Sequence, residues 1–67
     1  MGTVAKIIEL SADSEKSFED ALAVGIARAT KTLKNVKSVW IQDQEVMIEN
    51  NAPKKYRIHL KVTFVLE

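Results

Sequence analysis

The clearest pattern along the chain lies near its end. Tyr56, Ile58, Leu60, Val62, Phe64 and Leu66 alternate with Arg57, His59, Lys61 and Thr63. This two-residue period marks a strand with one apolar and one polar face. Upstream, Val36 to Glu49 is rich in β-branched residues, but Val39 and Ile41 have the opposite parity to Val46 and Ile48. No regular strand can bury both pairs on one face. A bulge near Asp43 to Glu45 resets the alternation and bends the strand. Asn50 to Pro53 reads as the turn between the two strands, because asparagine tolerates positive φ and proline cannot donate to a ladder. Two long strands joined so closely form an antiparallel hairpin.

The first half reads as one strand and one helix. Val4 to Leu10 is short and β-branched, and Ser11 to Ser14 is a cluster of turn-forming residues. Phe18, Leu22, Gly25, Ile26, Ala29 and Leu33 then recur at three- and four-residue steps and form one helical stripe. Ser17 suits the N-cap, with Asp20 three residues on, and Ser14 offers an earlier start. Asp13, Glu15, Glu19 and Asp20 precede Arg28, Lys31 and Lys34, in the order the helix dipole favours. Asn35 can take the left-handed conformation that ends the helix. The expected fold is a single α+β domain over residues 1–67, of β-α-β-β order. Its three-stranded antiparallel sheet packs on one amphipathic helix. One helix cannot cover two strands of this length, so apolar surface is left for neighbouring subunits.

Size points the same way. A chain of 67 residues loses on the order of 100 kcal/mol of conformational entropy on folding, which so small a core only roughly offsets. The sequence has no cysteine and one histidine, so neither a disulfide nor a zinc site within one chain supports it. Oligomerisation is the remaining device. With a net charge of +1 and basic residues interspersed with acidic ones, nothing favours nucleic acid or an anionic membrane. The longest apolar run, Ala21 to Ala27, is too short to span a bilayer, and the first residues lack the block of a signal peptide. The expected location is the cytoplasm.

Three segments carry a resemblance to a known family: Ser14-Glu-Lys-Ser-Phe-Glu-Asp-Ala21, Ala29-Thr-Lys-Thr-Leu-Lys-Asn-Val36 and Tyr56-Arg-Ile-His-Leu-Lys-Val-Thr-Phe64. In order, spacing and total length the chain resembles the dodecins, β-α-β-β proteins that assemble as hollow dodecamers. Many of them store or sequester flavins in pairs without catalysis, and some bacterial members are associated with coenzyme A or calcium. In flavin-binding members a tryptophan early in the second strand stacks on the isoalloxazine ring, and a glutamine after the tyrosine of the third strand bonds its edge. Counted without gaps from Thr32 to Tyr56, those positions are Ser38 and Arg57 here. Trp40 keeps the same face but lies one strand repeat, roughly 7 Å, further along.

The resemblance implies a homododecameric binding protein for a flavin (FMN or riboflavin) or a related nucleotide-type cofactor, bound weakly or in an altered pose. Its candidate contacts are Trp40, Arg57, Ser38 and Gln42. The alternative is a structural shell without flavin, with calcium or another ion where subunits meet. Each residue also has a plainer reading. Trp40 suits a subunit interface, and Arg57 suits an intersubunit salt bridge to an acid such as Glu45. His59 fits an ordinary place on the polar face, and Asp43, Glu45 and Glu49 fit solvated surface better than a calcium site. There is no catalytic constellation and no phosphate-binding glycine loop, so an enzyme is not expected.

Overall fold

The computed structural model describes residues 2–66. Its elements are β1 (Ala5–Ser14), α1 (Phe18–Thr32), β2 (Val36–Glu49) and β3 (Ala52–Val65). The sheet order is β1-β3-β2 and both pairings are antiparallel. The chain therefore has the expected β-α-β-β architecture, with the cleanly alternating strand at its centre. Ile58, Leu60 and Val62 of β3 are fully buried beneath α1. The paired residues Ile8, Leu10 and Ala12 of β1 and Val39, Ile41 and Val46 of β2 share that covered face.

Ser17 caps α1 as expected, its hydroxyl accepting from the Asp20 amide at 2.9 Å. Ser14 does not begin the helix. It ends β1, where its buried hydroxyl donates to the Asp20 carboxylate at 2.6 Å and accepts from the Lys16 amide at 2.9 Å. Asp20 thus turns back to Ser14 and fastens the helix start to the strand before it. At the other end Leu33 closes the helix on the Ala29 carbonyl. Asn35, at φ 60°, reverses the chain two residues later.

Small side chains set the depth of the helix. Ala21, Gly25 and Ala29 are its buried residues, flanked by the partly buried Phe18 and Leu22. A Cβ on Gly25 would lie 2.8 Å from Leu60 Cδ1 and 3.2 Å from the Ala12 Cβ. Ile26, one of the expected stripe positions, sits at its margin with 38% of its surface exposed. The axis of contact is rotated toward the small residues, because only they allow the helix backbone so near β1 and β3.

Two boundaries, and the position of the bulge, differ from the sequence reading. β1 continues through Ser11 to Ser14 instead of turning there. The long β3 offers partners, pairing Ser11 with His59 and Asp13 with Arg57, and these backbone bonds outweigh local turn preference. The hairpin loop is only Asn50–Asn51, both at positive φ as a two-residue hairpin of the right twist requires. Pro53 accordingly lies inside β3, beyond the reach of β1. The bulge does occur, at Gln42 between the Ile41 and Asp43 pairings, and it brings Val39, Ile41 and Val46 to one face. Further shifts fall between Val36 and Ser38 and between Met47 and Ile48.

Candidate ligand-binding face

The face of the sheet away from α1 carries most of the polar residues of the three strands. They fall into cross-strand rows set by the register, with β3 in the middle. One row is Asp13, Arg57, Glu45. The next is Ser11, His59, Asp43. Then come Glu9, Lys61, Trp40, and finally Ile7, Thr63, Ser38. In the first three rows the centre strand supplies an arginine, a histidine and a lysine, and the flanking strands supply carboxylates, a hydroxyl and the indole.

The first row is the most tightly built. The Arg57 guanidinium donates through Nε and Nη2 to the two Asp13 oxygens at 2.7 and 3.0 Å. Glu45 lies at 3.9 Å from Nη1, too far for a hydrogen bond. The side-on pair holds the Asp13 carboxyl below the usual carboxylate range, chiefly through the hydrogen bond, and raises the Arg57 value by the same contact. In the second row His59 Nδ1 bonds Asp43, and Nε2 is 3.7 Å from Glu45. In the third row Lys61 Nζ sits 5.4 Å from the centroid of the Trp40 ring and 3.9 Å from Glu9.

Trp40 stands 63% exposed on this face, as its parity requires. Gln42, freed from the ladder by the bulge, lines a shallow cleft of about 250 Å³ with Glu9, Ser11 and His59. Trp40, Gln42, His59 and Lys61 are thus near neighbours. Ser38 is one row further out, opposite Thr63. Arg57 stands four residues along β3 from the Trp40 row, about 13 Å away at the usual strand rise. A single protomer therefore does not gather all four candidate residues into one cluster.

One expectation about the charges changes. Arg57 is held chiefly by Asp13 of its own chain, and Glu45 is the looser second partner. Asp13 was hidden because it fell in a segment read as a turn. The signal was available, since Ile8, Leu10, Ala12 and Ser14 continue the parity of the covered face and place Asp13 opposite them. The acidic residues of β2 do not converge. Asp43 and Glu45 occupy adjacent rows, while Glu49 pairs with Ala52 beside the hairpin loop. Among the described residues no three metal-ligating side chains come together.

The comparisons with known proteins agree with this architecture. A family model described as Dodecin matches residues 4–67. The dodecin of Thermus thermophilus is 38% identical over 69 residues, covering all of this chain and 97% of the relative. A crystal structure of an arginine-to-alanine variant of that dodecin has a TM-score of 0.92 at 35% identity, with 98% of each chain covered. The structure described as a calcium-chelating dodecin from Mycobacterium tuberculosis, with a novel calcium-binding site, has a TM-score of 0.85 at 26% identity. It covers 96% of this chain and 91% of that one. With a family model spanning nearly the whole sequence and a relative well above 30% identity, the chain belongs to the dodecin family.

Proposed function

We propose that this dodecin-type binding protein holds a flat, nucleotide-type cofactor, a flavin such as riboflavin or FMN, on the helix-free face of its sheet, and that it works as a cytoplasmic homododecamer. The observation that carries the reading is the Trp40 ring, 63% exposed amid hydrogen-bonding side chains. A large ring left in water is unfavourable, and stacking on another flat ring removes that surface. Gln42 supplies both a donor and an acceptor for the edge of such a ligand, and Ser38 supplies a hydroxyl. Arg57 serves a ligand long enough to reach two rows further.

Two features make flavin binding weak or altered in pose. The family's stacking position is Ser38, with Trp40 one repeat beyond it. Arg57, a donor only, stands where the family has an amide. Riboflavin titration of the parent and of the Ser38→Trp/Arg57→Gln double variant tests this directly. The double variant binds more tightly, because it regains a ring over the usual site and an amide at the edge. Equal binding by the two proteins contradicts the assignment. A second reading, a shell with calcium at subunit interfaces, takes its support from the calcium-chelating relative. It predicts that calcium, and not riboflavin, raises the melting temperature.

A further inference from the structure

Arg57 has five N–H donors, and its side-on pairing with Asp13 uses Nε and Nη2. Nη1 is left facing the β2 side, where the nearest acidic oxygen, on Glu45, is 3.9 Å away. The guanidinium can therefore still donate to a neutral carbonyl oxygen. For an anion the position is much poorer. Its positive charge is already matched by Asp13, and an incoming phosphate or carboxylate would meet Glu45 at the open side. Lys55 and His59, the other groups close enough to act on Asp13, further fix its carboxylate in the charged form.

We propose that Asp13 sets the charge of the ligand this face accepts: by clamping Arg57 it admits uncharged, carbonyl-bearing rings and turns away phosphate- or carboxylate-bearing ones at that position. Asp13 acts through Arg57 and is a positioning residue. This rests on the reading of the face as a ligand site, and it assigns specificity to a strand that the Trp40 reading does not use.

The test has two arms. The sequence contains two arginines, Arg28 and Arg57, so arginine-labelled protein gives two side-chain Nε–H resonances. Arg28, on the exposed side of the helix and bonded to Thr32, serves as the internal reference. In the parent, millimolar inorganic phosphate leaves the Arg57 resonance unmoved. In Asp13→Asn, which removes the charge at constant size, the same phosphate shifts it saturably. The second arm compares riboflavin with FMN. The parent binds the two alike, and Asp13→Asn favours FMN by on the order of tenfold, the factor one charge-assisted hydrogen bond supplies.

A phosphate-sensitive Arg57 in the parent, or the same FMN-to-riboflavin ratio in both proteins, overturns the proposal. The parent's response to phosphate decides the matter even where the variant fails to fold. If riboflavin binds neither protein, the reading of the face as a flavin site falls, and the phosphate arm alone decides the role of Asp13.

Discussion

At the scale of single residues, the pairing of Asp13 with Arg57 has a consequence for stability that can be worked out in sign. The folded state holds the Asp13 carboxyl below its ordinary value, so the pair's contribution is fully present above about pH 4. It is lost as the pH falls through the lowered folded value. Asp13→Asn should therefore melt below the parent at pH 7, with the difference closing as both are acidified below pH 4. Thermal melts across pH 2 to 7 check this. A difference that stayed constant across the range would show that Asp13 contributes packing and not charge. Asp13 also marks the limit of what could be read from residue types. Its identity suggested a turn, and only the parity of its neighbours, Ile8 to Ser14, pointed to a place beside Arg57.

At the scale of elements, alternation and spacing were legible and closeness was not. The parity conflict between Val39 and Val46 required a bulge, and the chain places it at Gln42, one residue before the expected stretch. The exact residue depends on which backbone groups find partners across the hairpin, and hydropathy does not encode that. Deleting Gln42 should put Val46 on the solvent face and abolish folding, whereas Gln42→Ala should be tolerated. Circular dichroism of the two variants distinguishes a backbone role from a side-chain role. The helix stripe was legible as a face, but which of its members lie deepest was not. Leu22 and Ile26 are among the bulkier members of the stripe, while the closest packing turns on Ala21, Gly25 and Ala29. Gly25→Ala should improve helix propensity by about 1 kcal/mol, yet overpacking against Ala12 and the buried Leu60 costs about 1–3 kcal/mol. A net loss is expected in denaturant unfolding, because the Ala12 methyl cannot rotate away. A more stable Gly25→Ala variant would mean the helix backs off the sheet freely.

At the scale of the whole molecule, the protomer is too extended to be a self-sufficient body. Its principal extents are 54 × 19 × 13 Å, and its radius of gyration is 13.9 Å against about 11 Å for a compact chain of this length. Ile7 and Ile48 are about as exposed as Trp40. No helix among the described residues is long and apolar enough to cross a membrane. In the proposed homododecamer association covers Ile7 and Ile48, and the expected mass is roughly twelve times 7.5 kDa. Light scattering at low micromolar concentration should return that mass, and a stable folded monomer would contradict it. How copies meet was the least legible feature, because it depends on which exposed rows face each other across symmetry axes. The central claim, however, concerns what the assembled protein binds, and the most direct measurement is a riboflavin titration of the parent and of Trp40→Ala, followed by the flavin's own emission. The account predicts saturable quenching in the parent and a loss of affinity of at least about tenfold in the variant, as expected when one stacking ring is removed. Equal affinities would contradict it, since the flavin would then rest on something other than Trp40.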